Sequence, residues 1–316
     1  MKYLSILSLI ILVIFISGCT TQITTGGGST KNGVVITEFA FENAPVYTEE
    51  NVGLRLEVQN VGGNAAVLKK IQIYGVDFGT DDDDWSTTSG DEILDEFDEE
   101  LYKPDPDFDL EGAKFDHEWR LKVPKKVFAE TKYDFAVRID YDYGTTYTGI
   151  IRLVDEDYLQ SLSDEERNKL YGSGGIISSK LTNGPISIIP FEGRHFIVDE
   201  LTARTIQFKV ENVGTGYPYI CDDGTDCVSD DDNAKKYYLT IRDEPNNIVK
   251  CGDREIKLSS GKSHILYCTF DPEQVGDFIN KVDKTFQIEF EYSYYIDGYT
   301  SVVVNPTFEG GIGGSD

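Results

Sequence analysis

The residues able to do chemistry in this chain fall into three groups: five cysteines, two dense runs of aspartate, and many tyrosines. Cys19 stands alone, directly behind an apolar run and ahead of a polar, glycine-rich stretch. Cys221, Cys227, Cys251 and Cys268 are an even set, as expected of disulfides in an oxidising compartment. Three pairings are open. We expect Cys221–Cys227, closing CDDGTDC, and Cys251–Cys268, on segments separated by the turn at Ser259 to Ser263. A zinc site competes, but there is no CxxC pair and the chain has only three histidines.

The aspartates supply hard oxygen ligands suited to Ca²⁺, the one cofactor considered; no other is expected. One run is Asp81 to Asp84, followed by Trp85; the other holds Asp222, Asp223, Asp226 and Asp230 to Asp232. Neither has EF-hand spacing. Successive residues of an extended strand point to opposite faces, so Asp81 and Asp83 converge only if their loop curls; a solvated acidic loop is the expectation there. Asp222, Asp223 and Asp226 have the better claim as metal ligands, because a Cys221–Cys227 bridge would hold them in a tight ring. Tyr141, Tyr143, Tyr147, Tyr292, Tyr294, Tyr295 and Tyr299 gather near the ends of the two halves. Most are expected to be strand-pairing aromatics. An exposed ring would give a rigid, polar-tipped contact for a sugar or a partner, and Trp85, Tyr143, Tyr147 and Tyr299 are the candidates. His117, His195 and His264 stand in unrelated contexts, with no Gly-x-Ser-x-Gly elbow and no phosphate-cradling glycine loop, so no enzyme is expected.

The elements that must position these residues are repeated. LRLEVQNVG at Leu54 to Gly62 recurs as IQFKVENVG at Ile206 to Gly214, 152 residues later, and the stretch from Tyr133 matches the one from Phe286 at an offset of 153. Both pairs alternate apolar and polar residues as half-buried strands do. This predicts an all-β chain of two tandem immunoglobulin-like antiparallel β-sandwiches, at 34–155 and 185–307, each ending in a hairpin. The glycine of each Asn-Val-Gly is read as a turn residue free to take φ > 0. A partly helical connector is predicted over 156–184, with Ser163 and Glu166 at capping-box spacing, and a disordered tail over 308–316. Within the acidic insertion 80–118, DEILDEFDEEL from Asp91 reads as a short amphipathic helix, with Ile93, Leu94, Phe97 and Leu101 near one face.

The net charge is −27, and Thr80 to Glu118 carries 17 acids against Lys103 and Lys114, a net of −15. Such a surface repels nucleic acid and anionic lipid, leaving cations, cationic surfaces and neutral glycans as partners. A surface adapted to salt is the alternative reading of the same charge.

Lys2, the apolar run Leu4 to Ile16 and Ile16-Ser17-Gly18-Cys19 resemble the signal peptide and lipobox of prokaryotic lipoproteins. The resemblance implies cleavage after residue 18, lipid on Cys19, and a location on the extracytoplasmic face of the membrane. Residues 19–33 then read as a flexible tether. The strand ending in QNVG or ENVG resembles the CARDB-type immunoglobulin-like modules of prokaryotic cell-surface proteins. That resemblance implies a non-catalytic binding or scaffolding part and names no ligand. Together with the lipobox, the tandem domains and the inserted loops, it leads us to expect a binding or adhesion module for an envelope protein or glycan, or else a structural spacer or assembly subunit.

Overall fold

The computed structural model describes residues 31–88, 93–171, 175–191, 196–198, 205–221, 227–242, 248–252, 254–270 and 280–307. Cys19 with the leader and most of the tether, Asp222, Asp223, Asp226, His195 and the tail 308–316 lie outside the described residues.

The first half contains β1 (Val34–Phe41), β2 (Val46–Tyr47), β3 (Asn51–Asn60), β4 (Ala66–Tyr74), β5 (Ser86–Thr87), β6 (Leu94–Leu101), β7 (Lys114–Lys122) and β8 (Thr131–Asp155). The helices α1 (Glu156–Ser161) and α2 (Asp164–Tyr171) follow, then β9 (Ile176–Leu181). The second half contains β10 (Ile186–Pro190), β11 (Phe196–Val198), β12 (Thr205–Asn212), β13 (Tyr217–Cys221), β14 (Ala234–Lys236), β15 (Tyr238–Arg242), β16 (Val249–Cys251), β17 (Glu255–Lys257), β18 (Ser263–Phe270) and β19 (Lys281–Asn305). The all-β expectation holds. One outer sheet has the order β1-β3-β7-β5 and its counterpart the order β10-β12-β18-β16. Both pack on an 11-stranded sheet whose main path is β14-β13-β19-β8-β4-β6.

Each half was expected to end in a hairpin; each ends in one continuous strand of 25 residues. β8 and β19 pair with each other, antiparallel and unbroken, from Val304 opposite Thr131 to Lys281 opposite Val154. The reason is that the period-2 pattern never breaks at the expected turn: Tyr143, Thr145 and Tyr147 stay buried on one face through Gly144, and a full-length partner strand satisfies every rung. The last strand of each half therefore crosses into the other, and Tyr147 of the first half packs on Phe208 and Phe286 of the second, at ring-centroid distances of 5.6 and 5.9 Å. Tyr141 and Tyr294, matched by the repeat, are themselves paired. An approximate two-fold thus crosses the ribbon at this point.

The Asn-Val-Gly turns work differently from expectation. Asn60 is fully buried; its Oδ1 accepts from Gly62 N (2.9 Å), and its Nδ2 donates to the carbonyls of Asn64 (2.9 Å) and Leu101 (2.7 Å). Asn212 repeats this with Gly214 N (3.2 Å) and the Gly216 carbonyl (2.8 Å). Neither Gly62 nor Gly214 is left-handed. Glycine is required because a ribbon tyrosine hydroxyl, of Tyr143 or Tyr294, stands where a Cβ would lie.

The expected acidic helix is instead β6, an edge strand on β4. Ile93, Phe97 and Leu101 recur every four residues, a spacing that fits a helix and also every second inward position of a strand. Pairing decides: β4 brings Lys69 Nζ to within 3.0 Å of Asp98, and Phe97 packs on Phe115 at 5.0 Å. In the connector the capping box forms, with Ser163 N and Oγ donating to Glu166 Oε2 at 3.0 and 2.6 Å.

Trp85, expected to be exposed, is only 1% accessible. The Asp81–Asp84 loop curls, as Gly79 N bonds to Trp85 O and Trp85 N to Asp77 O, and turns the indole into the core against Phe135 (5.0 Å) and Tyr133 (5.5 Å). Truncating such a side chain costs about 3–5 kcal/mol. Trp85→Ala is therefore expected to lower unfolding free energy by that amount in denaturant titration, while Tyr299→Ala, at 74% exposure, shifts it by no more than about 0.5 kcal/mol.

Candidate functional site

The face of the ribbon turned away from both outer sheets collects chemistry from both halves. Its side chains follow the pairing: Tyr299 beside Ala136, Asp297 beside Arg138, Tyr295 beside Asp140, Ser293 beside Asp142. β4 adds Tyr74, Gln72 and Lys70 on one side, and β13 adds Tyr217 and Tyr219 on the other.

At one end these residues form an aromatic strip. Arg138 and Asp297 make a two-pronged ion pair (Nε–Oδ1 2.8 Å, Nη2–Oδ2 3.1 Å), and the guanidinium lies 4.3 Å from the Tyr295 ring centre and 5.8 Å from that of Tyr74. Tyr217 continues the strip, 5.7 Å from Tyr295 and 5.5 Å from Tyr237. Burial, and then the Asp297 carboxylate, push the Tyr74 phenol up to about 12. Tyr74 thus presents a neutral hydroxyl at physiological pH.

Toward the middle the strip opens into a cleft of about 1110 Å³ between β6 and the segment held by the Cys221–Cys227 disulfide. Its walls carry Glu96, Asp98, Asp142, Asp230, Glu289 and Glu291 against Lys69 and Lys70. Lys69 bridges Asp98 and Asp142 (3.0 and 3.5 Å), and Arg242 pairs with Glu291 (2.9 Å). The cleft is net acidic and spans the two halves.

Beneath one wall is a buried latch. Lys70 reaches Asp230 at 2.9 Å, and Ser229 N donates to Asp140 Oδ1 at 2.9 Å; Lys70, Asp140 and Ser229 are at most 3% exposed. Both contacts tie the disulfide segment of the second half to β4 and β8 of the first. Burial raises the Asp140 carboxyl above its ordinary range, against the opposing effects of Ser229, Tyr219 and Lys70.

The expected site residues fare unevenly. Both disulfides form as expected, Cys251–Cys268 joining residues directly opposite on β16 and β18. Tyr299 is exposed, but Tyr143 (4%) and Tyr147 (1%) are core residues: they occupy the inward phase of β8, where Tyr143 accepts from Asn64 N (3.1 Å) and donates to Asn183 O (2.7 Å). Sequence reasoning did not pick Tyr74, Tyr217, Tyr237 or Arg138. The available signal was phase, since Tyr295, Asp297 and Tyr299 share a parity opposite to that of Tyr292 and Tyr294. Asp81 and Asp83 are exposed, while Asp82 pairs with Lys126 (2.9 Å), which holds its carboxyl below the usual range. Among the described residues no group of three or more His, Cys, Asp or Glu side chains is placed to hold a metal ion. Elsewhere, His117 pairs with Asp95 (3.0 Å) against Trp119, and His264 Nδ1 lies 3.1 Å from the Lys257 carbonyl.

No family model matches the chain, and no curated protein matches it. Among solved structures it is similar to a protein of unknown function from Porphyromonas gingivalis W83, with 13% identity, 87% of this chain and 99% of that one covered, and a TM-score of 0.18. It is also similar to the Enterococcus faecalis MSCRAMM ACE (6%, 86% and 95%, 0.17), described as binding its ligands by the collagen Hug model, and to the CupB6 tip adhesin from Pseudomonas aeruginosa (9%, 86% and 100%, 0.15). At these scores nothing about fold or function is carried over from them.

The latch makes a pH prediction. With the Asp140 pKa raised, the native state keeps a proton that the unfolded chain releases, so this group makes stability fall as pH rises from the ordinary carboxylate range through the raised value. Asp140→Asn keeps the acceptor for Ser229 N without the ionisation. It is expected to abolish that decline and to raise the melting temperature at neutral pH, whereas Asp140→Ala strands the Ser229 amide and costs about 1–3 kcal/mol; melting curves across pH check both.

Proposed function

We propose that this chain is a cell-envelope surface protein, held by lipid on Cys19 to the extracytoplasmic face of the membrane, that acts as a non-catalytic binding module. Its ligand at the ribbon is a cationic, extended segment of another envelope protein. The observation that carries this reading is the continuous run of tyrosines and carboxylates on one face, with Tyr74 and Glu96 from the first half and Tyr217, Asp297 and Glu291 from the second. Tyrosine faces attract lysine and arginine cations, carboxylates pair with them, and an acidic field speeds their encounter. The two disulfides support an oxidising compartment, and the leader ending in Ile-Ser-Gly-Cys supplies the anchor.

A structural spacer is the second reading, and the unbroken ribbon favours it: 24 rungs at about 3.4 Å give a stiff element about 80 Å long. The two readings part on ligand capture. By fluorescence anisotropy, a labelled lysine-rich decapeptide is expected to bind the full-length protein in mild detergent with strong salt dependence. Binding should weaken about tenfold in a variant combining Tyr299→Ala, Glu96→Gln and Asp98→Asn. Neutralising Asp105, Asp107 and Asp109, in the exposed loop after β6, changes the net charge at least as much and is expected to leave binding intact. Equal loss in both variants would reduce the interaction to bulk charge and favour the spacer.

The anchor is tested separately. Mass spectrometry of the mature protein is expected to find Cys19 at the N-terminus bearing acyl chains, and Cys19→Ser should move the protein from the membrane fraction to the soluble fraction.

A further inference from the structure

The duplication lets one half serve as a control for the other, and the outer sheets differ. On the solvent face of the first, Glu38 and Ala40 of β1 flank Glu57 and Arg55 of β3, with Asp116 and Glu118 of β7 on the far side. That face is laced with charge: Arg55 meets Asp116 at 3.2 Å and Lys114 meets Glu57 at 3.1 Å. In the second half, the same positions are Ile189 and Phe191 beside Lys209 and Gln207 of β12, with Ile265 and Tyr267 of β18 opposite. Three acids and an alanine have become two isoleucines, a phenylalanine and a tyrosine. Ile189, Phe191 and Tyr267 are 46%, 46% and 57% exposed.

These side chains make a shallow channel along β12, with apolar walls and a polar floor. The Lys209–Glu211 ion pair and Gln207 form the floor. The wall strands β10 and β18 lie two strand spacings apart, roughly 9.6 Å, and a flat ring touching both walls needs about 7–8 Å. One ring fits edge-down.

Charge and area narrow the occupant. In a chain of net charge −27, this floor carries one acid and that acid is paired, so nothing here attracts the cationic ligand proposed for the ribbon. The channel covers on the order of 200 Å², by strand spacing and rise, well short of the ~800 Å² per partner of a stable protein interface. An extended peptide would find no backbone partners, because β12 is paired on both sides. A sugar brings its own hydroxyls for the floor and apolar ring faces for Phe191 and Tyr267. We propose that the outer face of β10-β12-β18 is a binding channel for a neutral glycan, independent of the ribbon site.

Affinity electrophoresis of the full-length protein in mild detergent tests this, using gels that contain hydroxyethylcellulose, xylan, glucomannan, mannan or dextran. Retardation is expected in at least one gel, with affinity weakened about tenfold by Tyr267→Ala and by Phe191→Ala. Gln207→Ala, an exposed change without consequence for folding, should also weaken it. Phe128→Ala, which removes an 86% exposed ring from the loop between β7 and β8, should leave it unchanged. No retardation in any gel, or retardation indifferent to Tyr267→Ala, overturns the proposal. So does sedimentation showing a dimer that Tyr267→Ala dissolves, which would give the face to a second copy.

Discussion

The pairing of β8 with β19 is the constraint on which the rest of the molecule depends. Neither half can complete its core without the far part of the other's last strand: Phe286, Ile288 and Phe290 lie opposite Gly149, Tyr147 and Thr145, and Ile296 and Val302 lie opposite Ile139 and Tyr133. A single apolar core consequently runs through both halves. Cooperativity between them is built into the backbone rather than into a side-chain interface, and separating them would expose strand edges along the full ribbon.

The same pairing sorts the tyrosines. With a period of two, adjacent residues face opposite sides of the sheet, so Tyr294 and Tyr295 do different work. Tyr294 is buried, donates to Asn212 Oδ1 (2.8 Å) and accepts from Gly216 N (3.1 Å), fixing a turn of the outer sheet. Tyr295 lies under Arg138 on the outward face. The inward Tyr143 and Tyr294 lock the Asn-Val-Gly turns; the outward tyrosines, with Asp297 and the cleft acids, make the surface proposed for the ligand. Both sets are needed because the ribbon is at once the core of two sandwiches and the floor of the site.

Much of this was legible in the sequence. Strict alternation in LRLEVQNVG and its copy identified the strands, and the even cysteine count with CDDGTDC identified the bridges, because both signals are local. What stayed hidden was non-local. Nothing within Tyr133 to Val154 announces that its partner begins at Lys281, since a strand offered an equal partner elsewhere looks the same as one half of a hairpin. DEILDEFDEEL misled because a spacing of four suits helix and strand alike, and only Lys69 on the neighbouring strand breaks the tie. Trp85 misled because four aspartates beside an indole suggest a wet loop, whereas the curl of that loop buries the ring. The ribbon site was half visible: Tyr299 could be picked, but Tyr74, Arg138 and Tyr217 join it only through sheet order.

The point where the chain enters the fold has a mechanical consequence. Gly33 sits against Tyr143, and Val34 N bonds to the Tyr141 hydroxyl at 3.4 Å, beside the central rung of the ribbon. With the lipid anchor proposed above, the attachment would grip the molecule at its fulcrum, with about 40 Å of strand on either side. Modules strung head to tail have a near one and a far one; here the two arms balance, like a beam hung from its midpoint. An anchor at that point would hold the centre of the beam, rather than one end, nearest the bilayer.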